Sequence, residues 1–524
     1  MKQTRSPHVG TRAALASAAA PDLQQQAGAA DNDLEGGESP STSSAGPHIL
    51  TVGSSSRLVR NLWDRIAARG GLRIAHLVHP TYDRASWDES VTSNRVYFVR
   101  EDMRISMPTP DRQLLESLER GDVPSIHNMI MSDRVVSKLP YEDALAYATL
   151  LTRRFSTLFR QIDPAVIIGG FDALHGSLAL AVARKIGIPW YALSFSTIPI
   201  GEVSFCANLC PASVVVLEPH RREALKGRAR ELLRDFEEGR MRAPAYMPPN
   251  LLKPSVILGQ LPTHLRSVLH VASRRRAAPY RRYTDYRNSY SFDGLVREAL
   301  RLRGNLWQLR GRALLEHPPD GPYALFGLHM QPESTIDVFA HFFSNQLHVI
   351  ELMSRSLPPT HPLLVKLHKS DLPNYSGDFI ARLRRFPGVR VVAAQADSLE
   401  FIGKAALVFA IQGTMGLEAA LLGKPVIMFG DSPVRAFPSV STIGKTIDLP
   451  ELVRAKLAEP PPDHAAIVEA LATFLTPFYP ASYNDWHIAP TDAEIEGYVR
   501  LFRLLLERLA ASTKLEAAHM MTRT

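Results

Sequence analysis

The chain has 524 residues, 45% hydrophobic and 21% charged, an ordinary globular composition long enough for two or three domains. Its formal charge of +8 favours an anionic partner without choosing among nucleotide, acidic sugar, phospholipid and nucleic acid. Two cysteines, Cys206 and Cys210, exclude a disulfide framework and a four-cysteine zinc site, and no apolar run reaches the roughly 18 residues that span a bilayer.

Residues 1–47 are predicted to be a disordered tail. Their apolar part is mostly alanine, and it runs into DNDLEGGESPSTSSAGP, whose composition is typical of disorder. A cleaved signal peptide is the alternative interpretation of the first residues. Order is expected to begin at HILTVG, residues 48–53.

Residues 48–218 are predicted to form a first Rossmann-like domain. Apolar strand patterns alternate there with helical periodicity, which favours a parallel sheet with crossover helices. The predicted strands are 72–79, 95–99, 165–170, 190–195 and 213–217, and the predicted helices are 141–162 and 173–187.

Residues 219–320 are rich in arginine, with Tyr and Trp between the basic residues and few strand patterns. We interpret them as a basic, mostly helical connecting region. Solvated helices between two domains are one explanation, and a surface that docks on anionic lipid or an acidic glycan is another. Nucleic acid is a third, although no recognised binding motif accompanies the arginines, so no specific nucleic acid is expected.

Residues 321–490 are predicted to form a second Rossmann-like domain, followed by a helix and tail at 491–524. The predicted strands are 323–329, 363–368, 389–393, 406–411 and 425–429, and the predicted helices include 336–357, 398–403, 414–422 and 492–511. The predicted fold class is therefore α/β, with two Rossmann-like parallel-sheet domains facing a cleft.

Ligands of open parallel sheets bind beyond the carboxyl ends of the strands, so the segment QGTMGLE at 412–418 is the first candidate. Gln412, Gly413 and Thr414 lie between a predicted strand and a helix, where unpaired N–H groups can hold a phosphate. Thr414 is suited to cap the helix, and Glu418, four residues later, can accept hydrogen bonds from a ribose. An ordinary capped helix is the alternative.

Two further polar groups follow predicted strands of the second domain. Lys366 and His368 have the same side-chain parity, and an ammonium beside an imidazole suits a departing phosphate. His329, Gln331 and Glu333 follow the strand at 323–329, and the next residue, Ser334, is expected to cap the following helix. A lysine-bearing surface loop and a simple helix cap are the structural alternatives.

The first domain offers Asp172 and His175, three residues apart near a helix start, as candidates to take a proton from an acceptor hydroxyl. An N-cap is the alternative role for Asp172, and Glu202 is an outside candidate. The segment IHNMIMSDR at 126–134 also gathers polar groups, without a predicted role.

Together these residues resemble the capsule polysaccharide biosynthesis family, relatives of the bacterial β-Kdo transferases. The resemblance lies in LHMQPESTIDVFAHFFSNQ (328–346), LLVKLHKSD (363–371) and QGTMGLEAALLGKPVIMFG (412–430). The family's Lys-Glu-His-Pro motif reads Lys366-Leu367-His368-Lys369 here, which keeps the histidine and replaces Glu and Pro. The resemblance implies a GT-B-like architecture, in which two Rossmann-like domains face a cleft, with the donor nucleotide in the second and the acceptor in the first, residues 48–218.

From these observations we predict a glycosyltransferase that moves a sugar from a nucleotide-sugar to a glycan or glycolipid acceptor in surface polysaccharide assembly. The resemblance implies a CMP-linked acidic sugar as first donor choice and UDP-sugars next. No metal and no cofactor beyond the nucleotide-sugar co-substrate are expected. The enzyme is expected in the cytoplasm, with an anionic inner membrane surface as a further partner.

Two other classes of function stay open from the sequence. One is a sugar-nucleotide 2-epimerase-like enzyme, which would use the same fold on a free nucleotide-sugar and need no acceptor. The other is a non-catalytic polysaccharide-binding or assembly protein.

Overall fold

A computed structural model of the protein gives the architecture of both predicted domains. The residues that it describes are 46–53, 57–78, 96–98, 107–170, 174–242, 301, 303–305, 307, 309, 314–331, 333–372, 375–376, 378–481 and 490–521. Within these residues the chain forms two sheets, each covered by helices.

The first sheet combines a parallel centre with an antiparallel edge. Its strands are β1 Ile49–Val52, β2 Ile74–Val78, β3 Val96–Phe98, β4 Val166–Gly169, β5 Trp190–Thr197, β6 Ile200–Cys206 and β13 Tyr479–Pro480. The order β3-β2-β1-β4-β5 is that of a Rossmann half, with all neighbours parallel. β6 and β13 then extend the sheet in antiparallel fashion.

The second sheet is parallel throughout. Its strands are β7 Ala324–Gly327, β8 Leu363–Lys366, β9 Val389–Val392, β10 Leu407–Ala410, β11 Val426–Met428 and β12 Val440–Thr442. The order β9-β8-β7-β10-β11-β12 is the full Rossmann order. The predicted class, α/β with two Rossmann-like parallel-sheet domains, is confirmed.

Helices flank both sheets. Their bounds are α1 Arg57–Gly70, α2 Arg112–Glu116, α3 Ile126–Met131, α4 Tyr141–Ile162, α5 Leu174–Ile186, α6 Arg221–Glu237, α7 Ser334–Asp337, α8 Gln346–Ser356, α9 Phe379–Leu383, α10 Ser398–Lys404, α11 Thr414–Leu421, α12 Leu449–Ala458, α13 His464–Leu475 and α14 Asp492–Met521. The central strands β8 and β10 are buried along their whole length, because helices cover both faces of the sheet.

The chain passes between the two halves more than once. Helix α6 packs on α13, and its Leu225 and Leu233 belong to the core of the second sheet. The chain then returns to the first half through β13 and through α14, which packs on α1 with ring centroids of Trp63 and Phe502 5.3 Å apart. Thus the first helix of the predicted connecting region is part of a core, whereas residues 243–300 lie outside the described part of the chain.

Each half also buries a side chain in the other. Ile198, at the tip of the β5–β6 hairpin, belongs to the core that the second sheet shares with α6 and α13. Val338, directly after α7 of the second half, belongs to the core that α4 and α5 form on the first sheet. Ser132 Oγ also donates a hydrogen bond to the backbone oxygen of Asp337 over 2.6 Å.

Two predicted elements differ from the structure, and the sequence also missed observed strands. The long helix predicted at 336–357 is wrong: α7 ends at Asp337, and α8 begins separately at Gln346 because Asn345 accepts a hydrogen bond from the backbone of His348. The strand predicted at 213–217 is wrong: a 3-10 helix at Pro211–Ser213 ends at its first residue, and Val214 forms only a single bridge, to Cys206. The hairpin strand β6 was not predicted.

Candidate active site

The second sheet reverses its strand order between β7 and β10, and the loops after these strands form its crevice. Gly413 follows β10 with φ +88° and ψ −174°, a conformation open essentially to glycine alone. A Cβ at this position would lie 3.1 Å from Cε1 of His329, which follows β7. The corner of the chain at Gly413 therefore lies directly against His329.

Gly413 is also the N-cap residue of α11, and it supplies no side-chain hydrogen bond to the helix. Thr414 is the first residue inside the helix, so the expectation that its hydroxyl caps α11 is wrong. Gly413 is exposed, and Thr414 is half-buried. The first N–H groups of α11 are left for another partner and carry the positive end of the helix dipole, as an anion requires.

Lys366 and Glu418 lie buried behind this corner, each with 7% of its surface exposed. Burial raises the pKa of Glu418 to about 7, opposed by the positive charges of Arg242 and Lys366. Burial also lowers the pKa of Lys366 to about 8, as does Lys369, against the attraction of Asp397 and Glu418. The Lys366 ammonium donates a hydrogen bond to the backbone oxygen of Ala394 over 3.1 Å.

The two histidines complete the group. Burial lowers the pKa of His329 to about 4, and the neighbouring His368 lowers it further. The pKa of His368 is lowered by burial and by Lys366. Both imidazoles are therefore neutral at pH 7 and can each donate one N–H hydrogen bond. We call His329, Lys366, His368, Gly413 and Glu418 the carboxyl-edge cluster.

Gln412 is not part of the carboxyl-edge cluster. Its side chain is buried and donates a hydrogen bond from Nε2 to the backbone oxygen of Asp431 over 2.6 Å. This bond ties the turn after β10 to the turn after β11. The structure thus places Gln412 as a support of the corner at Gly413.

Gln331 and Glu333 belong to a network beside the cluster. Gln331 donates from Nε2 to the carboxylate of Asp337 over 2.7 Å and from its backbone to Asp371 over 3.2 Å. Glu333, and not Ser334, is the N-cap of α7, since its carboxylate accepts from the backbone of Thr335. The expectation of a Ser334 cap is therefore wrong.

In the first half, His175 lies near the start of α5 and opposite Gly53, which follows β1. A Cβ at Gly53, whose φ is +89°, would lie 3.2 Å from Nε2 of this histidine. Asp172 falls outside the described residues. Glu202 is 1% exposed and pairs with Arg228 of α6, so it serves as a buried ion pair between β6 and that helix.

Asp133 is a residue that sequence reasoning missed. One of its carboxylate oxygens accepts hydrogen bonds from the backbones of Val135 and Val136, and the other accepts from Leu174 at the start of α5, all over 2.8 Å. Asp133 therefore stabilises the N-terminus of the helix that carries His175. The only sequence signal was the crowding of polar groups in IHNMIMSDR.

A cavity of about 420 Å³ opens where the two halves meet. One wall is the segment after α3, with Ser132, Arg134 and Ser137. The other wall comes from the loops after β7 and β8, with Gln331 and Asp371 among its residues. We call it the interdomain cavity, and it adjoins the carboxyl-edge cluster through the network around Gln331.

Two further properties concern the described residues alone. None of their helices has the length and apolar character needed to cross a membrane. No group of three or more His, Cys, Asp or Glu side chains in this part of the chain is arranged to hold a metal ion.

Comparison with known proteins gives a family and several distant structures. Residues 241–449 match the family described as capsule polysaccharide biosynthesis protein. A search of curated proteins finds no match.

Solved structures of similar proteins share little sequence with this chain. The β-Kdo 2,7 transferase of KpsC from Thermosulfurimonas dismutans is 11% identical over 67% of this chain and 88% of that chain, with a TM-score of 0.33. The UDP-GlcNAc 2-epimerase from Methanocaldococcus jannaschii is 12% identical over 79% and 93%, with a TM-score of 0.22. The glycotransferase of kitacinnamycin is 13% identical over 88% and 99%, with a TM-score of 0.26. Such scores carry no argument about activity.

The family match begins just after α6, includes β7 to β12 and holds every residue of the carboxyl-edge cluster. Over residues 241–449, this chain is similar to the capsule polysaccharide biosynthesis family.

Proposed function

We propose that the protein is a glycosyltransferase of surface polysaccharide assembly that moves a sugar from a nucleotide-sugar to a glycan or glycolipid acceptor. The observation that carries the proposal is the uncapped start of α11 at Gly413, with Lys366 and two neutral histidines beside it. This combination of a helix N-terminus and a buried cation suits a nucleotide's phosphate.

The donor phosphate binds at the N–H groups that follow Gly413, with the Thr414 hydroxyl as a further donor. Lys366 remains protonated below pH 8, and its charge stabilises the phosphate as the sugar departs. His368 donates a neutral hydrogen bond to the same group, while His329 supports the chain at Gly413.

Glu418 contacts the ribose of the nucleotide in this proposal. It lies one helical turn behind the phosphate position, where a carboxylate can accept hydrogen bonds from a ribose diol. The same elements accommodate a CMP-linked acidic sugar, our first choice of donor, or a UDP-sugar. Protein cations and N–H groups perform the charge stabilisation here, so the proposed mechanism uses no metal.

The acceptor hydroxyl is activated from the first half, by His175 or Asp172. His175 lies beside Gly53 at the point where the first sheet reverses its order, between β1 and β4. An imidazole there is suited to take a proton from an incoming hydroxyl. The net charge of +8 suits an acceptor at an anionic membrane surface, and in this proposal the enzyme acts on the cytoplasmic side of that membrane.

The test is a thermal-shift titration with CMP, CDP, UDP and GDP. A nucleotide at one hundred times its Kd stabilises the folded protein by about 2.7 kcal/mol, which raises Tm measurably. We expect one nucleotide to do so, and Lys366→Met to weaken it at least tenfold. Lys369→Met is the matched control, because Lys369 is exposed three residues further on and should change affinity far less.

Failure of all four nucleotides to raise Tm would overturn the proposal. A protein that binds UDP and converts UDP-N-acetylglucosamine to its 2-epimer without acceptor would be an epimerase instead. Incubation with that nucleotide-sugar, followed by product analysis, separates the two activities.

A further inference from the structure

The interdomain cavity has the chemistry of a carbohydrate site. Hydroxyl and amide side chains line it, including Ser132, Ser137, Gln331 and Gln346. Such groups both donate and accept hydrogen bonds, as the hydroxyls of a sugar require. Its volume of about 420 Å³ lies within the range of small-molecule sites.

An aromatic pair closes one side of the cavity. Tyr375 and Phe379 stack with centroids 4.6 Å apart and planes at 7°, and both residues line the cavity, where the half-buried Phe379 is accessible and the buried Tyr375 supports it. Tyr375 is held in place because its hydroxyl oxygen accepts a hydrogen bond from the backbone of His368 over 3.1 Å. A rigid apolar face beside polar groups matches a sugar ring, which has C–H faces and a hydroxyl edge.

The charges that line the cavity disfavour an acidic ligand. Three carboxylates, Asp133, Asp337 and Asp371, face two cations, Arg134 and Lys138. Burial raises the pKa of Asp337, and the hydrogen bonds from Gln331 and Glu333, together with the charge of the half-buried Arg134, only partly oppose the shift. A ligand carboxylate would therefore meet an excess of negative charge, whereas uncharged hydroxyls can donate to the carboxylates and accept from the cations.

The cavity is distinct from the carboxyl-edge cluster. Among its described lining residues are neither Gly413 nor Glu418, which hold the nucleotide in the proposed function. Gln346 separates the two places: its amide exchanges hydrogen bonds with the backbone of His329 over 2.8 and 3.1 Å, and its side chain also lines the cavity.

We propose that the interdomain cavity binds one uncharged sugar residue of the acceptor glycan. The inference rests on the proposed function, and it assigns the acceptor class: a glycan with a neutral residue near its growing end. The first half contributes Arg134 and the serines, and the second contributes the amides and the aromatic pair. The acceptor is thus held against both halves, next to the donor site.

The binding test uses saturation-transfer NMR with a matched pair of ligands, methyl glucoside and methyl glucuronide. They differ only at C6, where the glucoside has a hydroxymethyl group and the glucuronide has a carboxylate. We expect saturation transfer to the glucoside, and about fivefold weaker binding of the glucuronide because of like-charge repulsion. Ser137→Trp should fill the cavity and abolish the glucoside signal, whereas Ser137→Ala should retain it. Ser137 is exposed on a short turn, so both variants are expected to fold.

Two results would overturn the inference. One is glucuronide binding as tight as glucoside binding, and the other is a glucoside signal that is absent at millimolar concentration or unchanged by Ser137→Trp. A third arm compares UDP with UDP-glucose. If Ser137→Trp removes the affinity difference between them, the cavity holds the donor's sugar, and the acceptor assignment is wrong.

Failure of the proposed function gives a different pattern. In that case no nucleotide raises Tm, whereas the binding of the two glycosides still shows whether the cavity holds an uncharged sugar. If the cavity assignment fails and the proposed function holds, nucleotides raise Tm in wild type and in Ser137→Trp alike.

Discussion

Replacing Gly413 with alanine tests the corner on which the donor site depends. Gly413 has φ +88° and ψ −174°, where residues with a Cβ cost about 1–3 kcal/mol of backbone strain. The new Cβ would also lie 3.1 Å from Cε1 of His329, closer than an ordinary contact, so the imidazole or the backbone has to shift.

We expect Gly413→Ala to lower the free energy of unfolding by about 1–3 kcal/mol. A loss of 1 kcal/mol corresponds to a fall in Tm of roughly 2–4 °C in a domain of 150–250 residues. If strain is relieved by turning the first N–H groups of α11, nucleotide affinity falls as well, tenfold for each 1.4 kcal/mol of lost binding energy.

Urea unfolding and nucleotide titration of the same samples measure the two effects. Gly403→Ala is the matched control, since Gly403 lies in helix α10, where no atom lies within 4 Å of the added Cβ. Alanine in a helix is favoured over glycine, so this control should be neutral or slightly stabilising. Equal stability of the Gly413 and Gly403 variants would refute the reasoning about the corner, and unchanged nucleotide affinity would place the phosphate elsewhere.

Three further predictions concern buried groups. Asp133→Ala should destabilise the protein by at least about 2 kcal/mol in urea unfolding, with Asp133→Asn intermediate, because three N–H groups lose their acceptor; a loss below 0.5 kcal/mol would contradict this role. Burial raises the pKa of Glu418 from 4.5 to about 7, so the folded protein binds this proton more tightly than the unfolded chain does. The contribution of protonated Glu418 to the free energy of unfolding is therefore complete below pH 4.5 and is lost as the pH rises to about 7. The free energy of unfolding of Glu418→Gln should not fall in this way. If it changes with pH between 4.5 and 7 as much as that of the wild type does, the role given to Glu418 is wrong. Arg228→Ala leaves the buried Glu202 without its partner and should cost about 1–3 kcal/mol, because Arg228 itself is partly exposed, and adding Glu202→Gln should restore part of it in the same assay.

The sequence predicts most of the two sheets because buried parallel strands give short apolar runs that are easy to recognise. The predictions at 165–170, 363–368 and 406–411 enclose the observed strands β4, β8 and β10. The predictions were wrong where contacts between distant parts of the chain determine where an element begins and ends. The helical periodicity of 336–357 does not show that Asn345 caps a new helix or that Val338 leaves to join another core.

The candidate site shows the same contrast between residues that the sequence could predict and residues that it could not. His329 and His368, directly after strands, and Glu418, one turn into the helix after β10, could be predicted to lie near one another because parallel strands end at one edge of a sheet. Asp133 could not be found, since it stabilises a helix 41 residues away in the chain. The pairing of Glu202 with Arg228 was equally hidden, because it depends on how α6 leaves the first half.

The reciprocal burial of Ile198 and Val338 has a consequence for how the protein can be divided. Each half, expressed by itself, would expose an apolar surface that a side chain of the other half covers in the intact protein. A truncation at any single point between the sheets would also remove either β13 and α14 from the first half or α6 from the second. We expect melting in one concerted transition, and a domain-swapped or aggregated product wherever the chain is cut in two.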